Sequence, residues 1–309
     1  MGGAACWQFA VHYADRWFAA NPGAGFSETP EFLRFFQKET LSPTSAERKL
    51  WHLYDCTDYA INLFHCPTVA YSGEIDIQKQ AADIMAEALQ KEGIELVHVI
   101  GPGTGHKIHP DAKLEVERRF DQLAHSGNDN VGLSAEVHLV TYTLKYNRMY
   151  WLTIDRMGEH WQRARVDAAV GSSNELEVTA SNVTQMTFSL PAGQRMLGVT
   201  RPVQVQVGKD RLQAPAPGSD RSWTFTVHLA GGHRVLTDVV AADLELERRH
   251  LGADQRAQLV GQRGDVQGVH LARWRFFGRA TGRRAGCVSS SNDRRSRCIH
   301  GGNPRPSAS

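Results

Sequence analysis

Cys66-Pro67-Thr68-Val69-Ala70-Tyr71-Ser72 is a short apolar run, cut off by the turn Gly73-Glu74-Ile75-Asp76. A run of that length bounded by turn residues predicts a buried strand. The period then changes. Ile77, Ala81, Ile84, Met85 and Leu89 recur on one face of a helix expected over 77–92, and Gly93 supplies its stop. Ile94 to Ile100 predicts a second strand. Gly101-Pro102-Gly103-Thr104-Gly105-His106-Lys107 reads as a loop, and Pro110 to Leu123 as a charged helix. Strand, helix, strand, helix with short connections is the pattern of a parallel sheet covered by helices.

That topology brings two chemically able residues together. Asp76 and His106 each lie just past a predicted strand, and parallel strands carry their carboxyl ends on the same side. The two loops are therefore expected to be neighbours. An Asp carboxylate that accepts a hydrogen bond from an imidazole holds its tautomer and stabilises the imidazolium. Taken singly, Asp76 also fits a helix N-cap and His106 an exposed loop histidine. The pairing at this spacing favours the catalytic reading.

Upstream, Met1-Gly2-Gly3-Ala4-Ala5-Cys6-Trp7 opens a helix with no basic or signal-peptide character. Ala5, Phe9 and Tyr13 are expected on one face, with Cys6 and Ala10 beside them. Phe18-Ala19-Ala20 reads as a buried strand ending in a Pro22/Gly23 turn. Residues 26–64 are aromatic and mostly helical, with a break at Pro43-Thr44. Their aromatics are expected in the core, or lining a substrate pocket. Ser27 is read as a helix cap rather than a nucleophile, and Ser72 is too near Asp76 in sequence for that role. His109 is expected to face solvent or cap a helix, Cys6 to pack, and Asp55 and Asp58 to lie at the surface or at caps. A disulfide between Cys56 and Cys66 is geometrically open, and no cysteine spacing fits zinc.

Downstream of Glu136 the period becomes two. Val137/Leu139, Leu176/Val178/Ala180, Met186/Phe188, Val203/Val205/Val207 and Trp223/Phe225/Val227 alternate between turn-rich segments. Such strands predict a small all-β, sandwich-like domain. Residues 241–309 hold 13 arginines, no lysine and 6 acidic residues, a net of +7, against 22 basic and 27 acidic residues in 1–240. That tail is expected to be disordered, with the composition of a shifted reading frame. The expected organisation is 1–133 as an α/β domain, 134–240 as the β domain and 241–309 as the tail. The overall charge of +2 gives no sign of a nucleic-acid partner, and no apolar run reaches the ~20 residues of a membrane span. No metal or organic cofactor is indicated.

The ordered motifs resemble the carboxyl-terminal part of prolyl oligopeptidase-family serine peptidases, in the α/β-hydrolase superfamily. That family commonly reads Gly-x-Ser-Met-Gly-Gly at its nucleophile, and Met1-Gly2-Gly3 is similar to the last three positions. Tyr71 to Asp76 resembles the acid loop, and Gly105-His106 the histidine loop. The resemblance spans about residues 1–125. It implies that Asp76 orients His106, that His106 is the general base, and that the Met1 N–H belongs to the oxyanion hole. It further implies a peptide or ester substrate and a chain that begins just after the nucleophilic serine, hence an inactive fragment. Its relatives make an exported parent plausible, while compartment and oligomeric state stay open. The other reading is a non-catalytic, hydrolase-like binding protein.

Overall fold

The computed structural model describes residues 2–126, 134–172, 174–230, 233–237 and 287–288. Met1 and the 241–309 segment, apart from Cys287–Val288, therefore lie outside the described residues. The protein is a mixed α/β structure with several sheets.

Helix α1 (Gly2–His12) buries Gly3, Cys6, Trp7, Ala10 and Val11, spaced three and four apart. This is not the expected face. Ala5 is exposed, and Phe9 points outward beside the rings of Tyr13 and Trp17. Trp7, the largest side chain in the helix, goes to the core, and the small Gly3, Cys6 and Ala10 let the helix sit close beneath it. After a 3-10 turn, strand β1 (Ala20–Asn21) forms parallel bridges to the next strand at Ala20/Thr68 and Gly23/Tyr71.

The aromatic segment is helical only in pieces: α2 (Thr29–Phe32), continued by a π turn over Leu33–Gln37, then α3 (Ser45–Trp51), and a kinked 3-10 stretch over Cys56–His65. The break at Thr44 is a capping box. Its hydroxyl accepts from Glu47 N–H, and Glu47 accepts from Thr44 N–H. Ser27 is not the cap of α2; Glu28 is, accepting from Glu31 N–H at 2.7 Å. Cys6, Cys56 and Cys66 are buried thiols, so the Cys56–Cys66 disulfide does not form.

Strand β2 (Val69–Gly73) and strand β3 (Val97–Gly101) pair in parallel, from Val69/Val97 to Gly73/Gly101. Between them lie a 3-10 turn (Ile77–Lys79) and helix α4 (Gln80–Lys91). The expected helical face holds at Ala81, Met85 and Leu89 but not at Ile77, which belongs to the turn and is 63 % exposed. Gly93 takes a φ of +76° at the helix end. Helix α5 (Pro110–Ser126) packs Ala112, Val116 and Phe120 against Val69 and Tyr71 on the opposite face of the sheet. The outer edge of β1 pairs in parallel with β14 (Cys287–Val288), two residues of the segment expected to lack order.

The remaining strands form two five-stranded sheets. One has the order β11 (Asp210–Ala214), β10 (Val203–Val207), β8 (Glu175–Ser181), β7 (Ala164–Val170), β4 (Glu136–Thr141). The other has the order β13 (His233–Thr237), β12 (Trp223–Ala230), β9 (Val183–Leu190), β6 (Leu152–Met157), β5 (Arg148–Met149). All neighbours are antiparallel except β8 and β10. The alternating residues read from the sequence point inward: Val203, Val205 and Val207 are buried, as are Trp223, Phe225 and Val227. One apolar cluster runs from Trp7 and Tyr59 through Trp151 to Trp223. Asn62 bridges its parts. Its amide donates to Val11 C=O (3.0 Å) and Val140 C=O (3.1 Å) and accepts from Val140 N–H (2.8 Å). Among the described residues no helix is long and apolar enough to cross a membrane.

Asp55 is buried rather than at the surface. One of its oxygens accepts from Thr29 N–H (2.8 Å) and Thr29 Oγ1–H (2.6 Å), tying α2 to the 3-10 stretch. Burial, with the Asp58 charge adding to it, pushes Asp55 up to about 7. Its stabilising protonated form is fully populated below the unfolded value of ~3.9 and is lost as pH rises through about 7. Asp55→Asn keeps an acceptor for Thr29 and cannot ionise. Its stability relative to wild type is expected to improve by on the order of 2 kcal/mol between pH 5 and pH 8.5. Thermal melts at both pH values check this, and parallel pH profiles would contradict it.

Candidate active site

Both strands of the β2/β3 pair end at one level, in glycine opposite glycine. The following loops are bonded to each other. Glu74 N–H donates to Gly101 C=O (2.9 Å), Ile75 N–H to Thr104 C=O (3.1 Å), and Gly103 N–H to the Glu74 carboxylate (2.7 Å). The approach requires Gly73. A Cβ there would stand 2.1 Å from Thr104 O and 2.2 Å from Gly105 O, both backbone atoms.

The structure brings the predicted pair together. His106 Nδ1–H donates to Asp76 Oδ2 at 2.8 Å. The other carboxylate oxygen accepts from Gln78 N–H at 2.9 Å, so Asp76 is also the N-cap of the 3-10 turn before α4. One oxygen thus caps the turn and the other bonds the histidine. The Asp76 side chain is 4 % exposed and the His106 side chain 52 %. A buried anion fixed by two donors thus holds an imidazole at the surface. Among the described residues His106 Nε2 has no hydrogen-bond partner and is open to a proton.

The start of α1 lies on the same side. A Cβ on Gly3 would meet Gly23 O at 2.1 Å, and one on Gly25 (φ +93°) would meet Ala4 N at 2.6 Å, so the first helical turn and the turn after β1 touch backbone to backbone. Gly25 N–H donates to the Gln78 side chain (3.1 Å), joining this turn to the Asp76 loop. The exposed amides at a helix start carry partial positive charge suited to an anion. Met1, the expected oxyanion donor, lies outside the described residues.

Other candidates are otherwise engaged. Ser27 Oγ is buried and donates to Ala81 C=O (2.8 Å). Ser72 is fully buried, 3.0 Å from His98 Nε2, beneath α4. His109 stands at the cap position of α5, its C=O accepting from Lys113 N–H (2.9 Å); its backbone N–H donates to the Tyr71 hydroxyl, and its half-buried ring leaves Nδ1 without a partner. Cys6 packs in the core, as expected.

Further Asp–His contacts were missed by sequence reasoning. His52 Nδ1 bonds Asp58 (2.6 Å) across the start of the kinked 3-10 stretch, with its ring stacked on Tyr142. His138 is held on both ring nitrogens, by Asp167 (2.6 Å) and Glu136 (3.1 Å), and the Asp167 hydrogen bond pushes it upward in pKa. That ring has no free nitrogen for catalysis. Of these pairs, Asp76–His106 alone spans two loops at strand carboxyl ends, with a buried acid and an exposed base. Among the described residues no group of His, Cys, Asp or Glu side chains is arranged to hold a metal ion.

The two bonds of Asp76 can be separated. Asp76→Asn retains a capping oxygen, so its stability is expected to stay within ~1 kcal/mol of wild type, but its amide NH2 faces the His106 Nδ1–H. The imidazole should then lose its downfield Nδ1-bound proton signal in NMR of histidine-labelled protein. Asp76→Ala should lose the same signal and a further ~1 kcal/mol from the cap. A ring signal unchanged in both variants would contradict this geometry.

No family model, curated protein or solved structure matches the chain.

Proposed function

We propose that Asp76 and His106 are the orienting acid and the general base of a serine-hydrolase site acting on peptide or ester substrates. In this reading the parallel strands β1, β2 and β3 with their helices are the carboxyl-terminal part of an α/β-hydrolase domain of the prolyl oligopeptidase kind. The two five-stranded sheets are a β-sandwich. The observation that carries the reading is the 2.8 Å Nδ1–Oδ2 bond between two strand-end loops, with Nε2 open on the exposed side.

The chemistry runs through Nε2. A serine hydroxyl attacks the substrate carbonyl carbon, and its proton passes to His106 Nε2 while Asp76 stabilises the imidazolium. Collapse of the tetrahedral intermediate breaks the bond to the leaving amine or alkoxide, which takes that proton. A water molecule then repeats the sequence on the acyl-enzyme. Amide hydrogens at the start of α1 stabilise the oxyanion, and the family resemblance adds the Met1 N–H to them. The resemblance of Met1-Gly2-Gly3 to Gly-x-Ser-Met-Gly-Gly places the serine directly ahead of Met1, while Ser27 and Ser72 are buried in other hydrogen bonds.

Chain 1–309 is accordingly expected to show no ester or peptide turnover and no labelling by a fluorophosphonate. A chain with a strand and Gly-x-Ser joined ahead of Met1 should label. His106→Ala or Asp76→Asn should then lower its turnover by ~10³-fold or more. Turnover by 1–309 itself that His106→Ala abolishes would overturn the serine's assignment. A serine-bearing chain indifferent to both substitutions, or inert, would overturn the acyl-transfer reading in favour of a binding role.

A further inference from the structure

The Asp76–His106 bond orients one side of the histidine loop, and Tyr71 anchors the other. Tyr71 lies on β2, two residues before the loop that carries Asp76. Its hydroxyl donates to Lys107 C=O (2.7 Å) and accepts from His109 N–H (2.8 Å). These two groups belong to the residues one and three positions after His106. One hydroxyl therefore closes the loop on its carboxyl-terminal side, while Gly103 and Thr104 bond the acid loop on its amino-terminal side.

Several features make this a built brace rather than an incidental contact. The Tyr71 ring is buried in the cluster with Val116 and Phe120, which fixes where the hydroxyl can reach. The hydroxyl passes over Gly101, where a Cβ would stand 2.5 Å from Tyr71 Oη and 2.8 Å from His109 Cβ. The end of β3 thus lacks a side chain where the hydroxyl crosses. Burial, together with the nearby Asp76 charge, raises the phenol pKa, so the O–H that donates to Lys107 is retained at neutral pH.

We propose that Tyr71 is a positioning residue: its hydroxyl, bridging Lys107 C=O and His109 N–H across Gly101, holds the imidazole of His106 on Asp76. The catalytic consequence rests on the acyl-transfer reading of His106; the positional one does not. Tyr71→Phe keeps the ring in its cluster and removes only the bridge. Gly101→Ala keeps the hydroxyl and displaces it.

The test uses histidine-labelled chain 1–309. Solvent exchange of the His106 Nδ1-bound proton should be about 10-fold faster in Tyr71→Phe and in Gly101→Ala, and the double variant should be no worse than the poorer single one. Unchanged exchange in Tyr71→Phe overturns the proposal. So does rapid exchange of the His109 amide in the wild-type chain, a measurement that needs no variant to fold. In the serine-bearing chain, Tyr71→Phe should lower kcat about 10-fold with KM within about twofold, as misalignment of a catalytic group does. An inert serine-bearing parent whose Nδ1 proton still responds to Tyr71→Phe removes the catalytic reading and leaves the brace. An active parent whose kcat and Nδ1 proton ignore Tyr71→Phe removes the brace alone.

Discussion

Backbone meets backbone at the ends of β2 and β3, and the candidate site depends on that approach. Gly73 pairs with Gly101, and each lies where a Cβ would collide with the opposing loop or its anchors. Side chains at these positions would push the two loops apart by more than a hydrogen bond tolerates. Without them, three backbone donors from the two loops find acceptors across the gap. Asp76 and His106 are brought within reach by loops that are hydrogen-bonded to each other.

Asp76 shows how one carboxylate can cap a helical turn and orient an imidazole together. Capping a helical turn uses one oxygen and leaves the other free, so an acid at the start of a helix after a strand is ready to orient a second group. Its burial removes competing water, and its two donors offset the cost of burying the charge. The His52–Asp58 and His138–Asp167 contacts use the same residue types, but in places where the ring is stacked on an aromatic face or bonded at both nitrogens. Residue type is therefore a weak guide, and position relative to strand ends is a strong one.

This explains which parts of the molecule were legible in the sequence. The period-two runs at 203–207 and 223–227 declared their buried faces, because a strand has only two. The Asp76–His106 pairing followed from topology, which sets the loops after two parallel strands side by side. The buried face of α1 was not legible: apolar residues surround that helix, and the size of Trp7 and the backbone contact at Gly3 decide its rotation. Strand β7 alternates regularly, with Ala164, Val166 and Ala168 buried between Arg165 and Asp167, but alanines make a faint apolar signal; in β6 the alternation of Leu152 and Ile154 is broken at Arg156, where pairing with β9 shifts register. The Ser72–His98 contact depends on strand register, with Ala70 rather than Ser72 opposite His98, and no residue spacing reports that. Ser27 satisfies Ala81 C=O, 54 positions away, which a local capping argument cannot foresee.

The Asn62 clasp reaches beyond the site. A single amide holds the last turn of α1 and the first five-stranded sheet at once, within an apolar cluster that continues from one to the other. The two halves of the polypeptide are thus stitched by non-covalent contacts as well as by peptide bonds. Nicking the chain between Ser126 and Ser134 would leave two pieces still gripping one another, as in a split-protein pair that reassembles on mixing.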